Sequence, residues 1–212
     1  IGQGEIAVTP IQLANMTAAI ANRGYFYRPH IIKEMNGVPI VNPKYTEKNY
    51  TTIDAKHFQP IVEGMNEVYH SGTAKYVQIP GIEICGKTGT VENFAKVNGE
   101  RKQLTDHSVF IAFAPKDNPK IAVAVFIENG YWGSRYAAKM ASLLIEKHLK
   151  GVITRTDLED YLLTHSLEYE YAKKLGNKPF KVNEAIDQGL ITSEKEKKLR
   201  QLMDSLQPNI LD

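Results

Sequence analysis

The stretch Gly81-Ile82-Glu83-Ile84-Cys85-Gly86-Lys87-Thr88-Gly89-Thr90 carries the strongest chemical signal in the chain, and it admits two readings. Gly81, four residues, then Gly86-Lys87-Thr88 fits the phosphate-loop pattern, in which backbone N–H groups cradle a nucleotide and the lysine reaches its phosphates. Read as a strand, the same residues do something else. Lys87 presents an ammonium beside a cleft, and Thr88 and Thr90, two apart, point to one face. Such an edge holds a peptide-like ligand by main-chain pairing while the cation and hydroxyls take a carboxylate. Gly89 lets the ligand lie close, and the backbone N–H of Thr90 faces a developing oxyanion.

The neighbouring residues favour the strand. A phosphate loop needs small, flexible residues between its glycines and a helix starting at the Lys-Thr pair, whose dipole meets the anion. Ile82, Glu83, Ile84 and Cys85 alternate and are β-prone, while Gly89, Thr90 and Val91 make a poor first helical turn. Glu128 is only a weak candidate for the acidic partner of a nucleotide site.

Three further groups carry chemistry by residue type. Asp106-His107-Ser108 has every member of a hydrolase triad, but adjacent residues on a strand alternate faces and cannot relay protons among themselves. They read as the solvated start of a strand, with Asp106 and His107 as candidates for a cleft rim. Tyr131 and Trp132, after Gly130, either wall a peptide-binding cleft or pack on their own domain. His30, His57, His70, His148 and His165 show no metal-ligand spacing, so neither a metal nor a cofactor is expected. The single cysteine, Cys85, excludes an internal disulfide and reads as an inert buried thiol. The glycosylation sequon at Asn15-Met16-Thr17 falls inside a helix and is set aside.

The elements that must position these residues follow from pattern. Thr9 as N-cap, Pro10 at the first helical position and Gln12 completing a capping box start a helix that Gly24 stops. Ile11, Ala14, Ala18 and Ala21 form its expected packing side. Residues 25–53, with Pro29, Gly37, Pro39 and Pro43, read as short extended pieces and turns. A second helix covers about residues 56–70, with Pro60 in its first turn and Gly72 as its break. Strands follow at 82–91, His107–Pro115 and Ile121–Asn129, the last two joined by a Lys116-Asp117-Asn118-Pro119 turn. Both of those runs are nearly continuous in apolar residues and are expected as central strands. A helix over about 135–150 carries Met140, Leu143, Leu144 and Leu149 in period, with Gly151 as its stop. Beyond it a capping box at Thr156 and Glu159, a Tyr-rich piece at 167–175 and a charged helix after Ser193 form a small helical appendage, residues 152–212.

Composition narrows the rest. The 212 residues suit one domain with a small addition, and 42% hydrophobic with 24% charged residues is ordinary for a globular protein. Lys plus Arg number 26 against 24 acids, net charge +2, which gives no nucleic-acid footprint. No apolar run approaches the length that spans a bilayer. The chain opens on Ile1-Gly2-Gln3-Gly4, which reads as the middle of something longer. The expected architecture is α/β (α+β), an antiparallel sheet flanked by helices on both faces.

"IGQGEIAVTPIQLANMTAAIANRG", "SGTA", "GKTGT", "DHSVFIAFAP" and "IAVAVFIENG" occur here in the order found in class B penicillin-binding proteins. Over residues 1 to about 150 the chain resembles that family, most of all its elongation type. Tyr131 stands where a second glycine usually doubles Gly130. The resemblance implies the penicillin-binding, β-lactamase-like transpeptidase fold, incomplete at its N-terminus, with 1–151 as the C-terminal part of that domain and 152–212 as an extension. It implies a serine D,D-transpeptidase that crosslinks peptidoglycan stem peptides and is trapped by β-lactam antibiotics. Lys87, Thr88, Gly89 and Thr90 would then bind the substrate carboxylate, with Lys87 and Thr90 serving catalysis and Thr90 completing the oxyanion hole. It further implies a periplasmic location at the membrane, anchorage by an N-terminal helix, and partnership with a membrane glycan polymerase.

One departure matters. The nucleophile of the family sits in Ser-x-x-Lys, with a Ser-x-Asn motif as a second wall. None of Ser71, Ser108, Ser134, Ser142, Ser166, Ser193 or Ser205 has a lysine three places on; Thr192 and Lys195 have that spacing, but at a helix cap. Both motifs are expected upstream of Ile1, and the chain by itself is expected not to acylate. The alternatives are a related β-lactamase or D,D-carboxypeptidase, or a non-catalytic sensor of β-lactams or peptidoglycan peptides.

Overall fold

Thr9 opens the first helix, α1 (Pro10–Ala21), with an extended backbone, and Gln12 Oε1 accepts from the Thr9 N–H at 2.8 Å. The exit also follows the sequence: Arg23 and Gly24 take positive φ, and the Gly24 N–H returns to Ala19 O at 2.9 Å. The buried side matches expectation at Ala21 and otherwise differs. Thr17, Ala19 and Ala21 are buried, whereas Ile11 is 58% exposed. A threonine can occupy the deepest position because its hydroxyl donates to Leu13 O at 2.7 Å, so no polar group is left unpaired.

The computed structural model describes residues 3–97 and 99–167. The chain divides into a compact unit, Ile1–Leu167, and a second unit, Glu168–Asp212. The Tyr-rich piece and the charged helix expected beyond residue 167 lie outside the described residues. After α1 come two small strand pairs: β1 (Tyr25–Phe26) with β4 (Asn49–Tyr50), and β2 (Glu34–Met35) with β3 (Val38–Pro39) around an Asn36-Gly37 turn. A one-turn helix, α2 (Pro43–Thr46), lies between β3 and β4. Helix α3 (Phe58–His70) follows a 3-10 turn and carries Pro60 in its first turn, where the missing N–H has no partner to lose.

The main sheet has β5 (Cys85–Val91), β8 (His107–Ala114) and β9 (Ile121–Ile127) in the antiparallel order β5-β8-β9. The hairpin β6 (Phe94–Val97) and β7 (Glu100–Gln103) is inserted between β5 and β8. Opposed residues share a face, so the register Cys85↔Phe113 and Thr88↔Phe110 sorts the core. Cys85 and Phe113 pack with Ala21, Val62 and Met65 on the α1 side. Phe110, Ala112 and Ala114 pack with Ala137, Ala138, Ala141 and Ile145 of α4 (Ala137–Lys150) on the other. Helices thus cover both faces of an antiparallel sheet.

Two expectations give way here. β8 is central, but β9 is an edge strand among the described residues, half-buried, with Phe126 40% exposed. Its unbroken apolar pattern reflects helices on both faces and says nothing about its edge. On α4 the buried positions are Ala137, Ala138, Ala141, Ser142, Leu143, Ile145 and Glu146, while Leu144 is 47% exposed. The alanines let the helix lie close on the sheet, which moves Leu144 to the flank. Gly151, at φ 76°, ends α4 as expected.

Helix α5 (Thr156–Thr164) begins at the residue expected to cap it, so its N-cap falls one position earlier. Arg155 takes the N-cap position without a side-chain cap, because a guanidinium only donates and cannot accept from the first helical N–H groups; its Nε instead donates to Glu146 Oε2 at 2.9 Å. No helix among the described residues is long and apolar enough to cross a membrane.

Candidate functional site

Residues 85–91 form strand β5, with no helix starting at Lys87-Thr88, and this removes the phosphate-loop reading. β8 pairs with one edge of β5, and no strand pairs with the other among the described residues. Helix α3 covers the beginning of β5, where Asn66 Nδ2 donates to Ile84 O at 3.0 Å. From Lys87 onward the outer edge is open: Lys87 and Thr90 are exposed, and Thr88 and Gly89 are half-buried.

The ladder places Thr88 and Thr90 on the face of Phe110 and Ser108, and Lys87 and Gly89 on the face of Ile111 and Val109. Lys87 Nζ donates to Thr88 O at 2.8 Å, so the ammonium is held along the strand rather than paired with an acid. The Thr88 hydroxyl lies 2.9 Å from that of Thr73. One cation, hydroxyls and main-chain groups therefore share a short stretch of strand edge, an arrangement suited to an extended ligand ending in an anion.

The loop 129–136 crosses over this end of the sheet because residue 133 has no side chain. A Cβ on Gly133 would lie 2.5 Å from both Gly89 O and Val109 O. Three consecutive residues fasten the loop. Asp106 O accepts from the Tyr131 N–H at 2.9 Å, His107 Nδ1 from the Asn129 N–H at 3.0 Å, and Ser108 Oγ donates to Trp132 O at 2.8 Å while accepting from the Ala137 N–H at 3.2 Å. Ser108 is fully buried, so the expected solvated strand start is instead an anchored junction, and the Asp-His-Ser run is no triad. Tyr131, at φ 64°, packs its ring 4.7 Å from that of Trp132, and Arg135 lies over Tyr131 at 5.3 Å. Trp132 is 57% exposed.

Two residues at this end lie within the stretches that carry the family resemblance but have no role assigned from sequence. Gln3 Oε1 accepts from the Glu92 N–H at 3.1 Å, which docks the first described residue on the chain leaving β5. Thr73 follows Gly72 in the turn after α3; that glycine was legible as a helix stop, but the contact it sets up is tertiary. Cys85 is fully buried, and burial pushes its thiol up to about 12, so it stays protonated and unreactive in neutral solution. Among the described residues no group of three His, Cys, Asp or Glu gathers as a metal site. A cavity of about 450 Å³ lies between α3 and residues 78–84, but none of Lys87 to Thr90 lines it.

The family described as penicillin binding protein transpeptidase domain matches residues 1–146. Curated relatives include the peptidoglycan D,D-transpeptidase MrdA of Acinetobacter baumannii, 36% identical over 66% of this chain and 22% of the relative. The peptidoglycan D,D-transpeptidase PbpA of Mycobacterium tuberculosis is 34% identical over 71% of this chain and 31% of the relative. Among solved structures, Pseudomonas aeruginosa PBP2 in complex with WCK 5153 aligns with a TM-score of 0.58 at 37% identity, over 74% of this chain and 33% of that one. The ceftriaxone acyl-enzyme complex of penicillin-binding protein A from M. tuberculosis aligns with a TM-score of 0.60 at 29% identity, over 70% and 34%. The chain spans between about a fifth and a third of the length of these relatives. With the match running from the first residue through most of α4, this chain belongs to the penicillin-binding protein transpeptidase domain family.

Proposed function

We propose that this chain is the substrate-binding part of a serine D,D-transpeptidase that crosslinks peptidoglycan stem peptides, with its nucleophile carried by residues outside these 212. The observation that carries the reading is the open edge of β5, where Lys87, Thr88 and Thr90 are accessible beside a glycine at 89. Relatives named as peptidoglycan D,D-transpeptidases, and an acyl-enzyme structure among the neighbours, support it.

In this mechanism the D-alanyl-D-alanine end of a stem peptide lies along β5. Its terminal carboxylate takes the Lys87 ammonium, displacing that group from Thr88 O, together with the Thr88 and Thr90 hydroxyls. The serine hydroxyl attacks the carbonyl of the penultimate residue, and the oxyanion that develops is met by the Thr90 N–H, a contribution worth on the order of 10²–10³ in rate. The C–N bond breaks, D-alanine leaves with a proton on its nitrogen, and the acyl-enzyme passes to an amine of a neighbouring strand. A β-lactam presents a similar carboxylate and carbonyl but keeps its leaving group tethered, which leaves the ester in place. Tyr131 and Trp132 wall the ligand, with Asp106 and His107 behind them at the rim. Peptidoglycan substrates put the reaction outside the cytoplasm, with an anchoring helix upstream and a membrane glycan polymerase as partner.

The test is fluorescent-penicillin labelling of the complete polypeptide that contains this chain. Lys87→Ala should slow covalent labelling roughly 10- to 100-fold, the loss of a charge-assisted contact of about 1.5–3 kcal/mol. The 212-residue chain alone should not label. Reversible binding with no adduct in the complete polypeptide would make it a sensor, and rapid release of hydrolysed penicillin would make it a β-lactamase.

A further inference from the structure

Thr73 lies outside the Lys87–Thr90 run, yet its hydroxyl meets that of Thr88 at 2.9 Å. Its position is set by backbone rather than by a chance rotamer. The N–H groups of Ser71 and Gly72 both return to Glu67 O, at 2.9 and 3.0 Å, and the Ala74 N–H returns to Val68 O at 3.0 Å. A Cβ on Gly72 would lie 2.8 Å from Val68 Cα and 3.0 Å from Val68 O, so the turn closes this tightly only with glycine. Ala74, on the other side, is 1% exposed. Thr73 is thus held between a glycine without room for a side chain and a buried alanine, and its own side chain is delivered to the exposed middle of β5.

We propose that Thr73 is a positioning residue for the carboxylate site, acting through Thr88. This rests on the reading of Lys87 to Thr90 as that site. A hydroxyl facing an anion must donate to it, so the Thr88 proton has to be free of other acceptors. Two polarities are open to the Thr73–Thr88 contact. If Thr88 donates to Thr73, it turns lone pairs toward the ligand and repels it. If Thr73 donates to Thr88 Oγ1, the Thr88 proton points outward and its rotamer is fixed. An arriving carboxylate selects the second polarity, and the chain O–H···O–H···O⁻ strengthens along its length. The ligand class that benefits is an acyl donor with a free carboxylate next to the scissile bond; donors without one gain nothing from Thr73.

The experiment measures acylation of the complete polypeptide by penicillin G and by its methyl ester, resolving the dissociation constant from the acylation rate constant. Thr73→Val should weaken penicillin G binding roughly 3- to 10-fold, the loss of about one hydrogen bond, with a smaller effect on the rate constant. Thr73→Ser should restore binding. The methyl ester should show no difference between wild type and Thr73→Val, and Thr73→Val should cost nothing further in a Thr88→Val background. Thr73 is exposed, so Tm should hold. If it falls, the double variant decides: a folding loss persists there, and a loss transmitted through Thr88 vanishes. Wild-type penicillin binding by Thr73→Val beside impaired Thr88→Val would overturn the proposal and leave the site intact. Unimpaired binding by both Thr88→Val and Lys87→Ala would instead overturn the site reading itself.

Discussion

At the scale of single residues, the region around the candidate site depends on what is absent as much as on what is present. Gly133 is the sharpest case. Any side chain there meets two carbonyl oxygens of the β5–β8 pair at 2.5 Å, well inside contact distance, and both are backbone atoms that cannot swing away. Gly133→Ala should therefore displace the loop 129–136 from the sheet and loosen the bonds that Ser108 makes to it. The expected cost is about 1–3 kcal/mol of stability, typical of overpacking, read as a lower urea midpoint with unchanged m. Penicillin labelling of the complete polypeptide should slow as well, because the loop rests directly on Gly89. A wild-type midpoint would mean that the loop is free to move and does not define the site. Sequence gave no warning of this contact. Gly133 follows an aromatic pair and reads as an ordinary loop glycine, and only the tertiary crossing reveals why no larger residue fits.

At the scale of elements, local chemistry was legible and faces were not. The Thr9–Gln12 capping box, the Pro60 first turn, the Gly151 stop and the hairpin turn at 116–119 all depend on a few adjacent residues, and each formed where expected. The packing face of α4 and the cap of α5 depend on distant partners. Glu146 is fully buried in α4, an unlikely place for a carboxylate from periodicity alone, and it survives there through Thr154 at 2.6 Å, Arg155 at 2.9 Å and Lys150 at 3.6 Å. Burial acts most strongly on it and pushes its pKa up, but the hydrogen bonds from Thr154 and Arg155 and the Arg155 charge outweigh that and hold it below the usual carboxylate range. A group with a depressed folded pKa contributes stability that is present above its unfolded pKa of about 4.3 and lost as pH falls through the folded value. Acid unfolding should therefore steepen below that unfolded value. Glu146→Gln should flatten this limb and cost roughly 3 kcal/mol at pH 7, because it leaves Arg155 without its countercharge. An unchanged acid limb in the variant would assign the acid sensitivity to other carboxylates.

At the scale of the whole molecule, the sheet is bounded by two edges of different character. The edge of β5 ends in a lysine and two threonines beside a glycine, polar enough to stay solvated and specific enough to select a ligand. The edge of β9 is Ile121-Ala122-Val123-Ala124-Val125-Phe126-Ile127, without a charge, proline or bulge, and nothing pairs with it among the described residues. Unpaired N–H and C=O groups on an apolar, regular strand form a template for another strand. The sequence made β9 look central because its apolar run is that of a strand covered on both faces, a pattern that carries no information about its edges. The 212-residue chain studied alone should therefore self-associate through β9, with a sedimentation coefficient that rises with concentration. Phe126 is the place to test this, being the most exposed side chain of the strand at 40%. Phe126→Lys keeps a long apolar stem over the sheet and adds a charge that neighbouring copies must desolvate. It should shift the chain toward monomer with unchanged circular dichroism. Equal association in the variant and the parent would move the contact elsewhere, with the exposed Ile31, Met35 and Val41 between β1 and α2 as the next apolar surface to substitute.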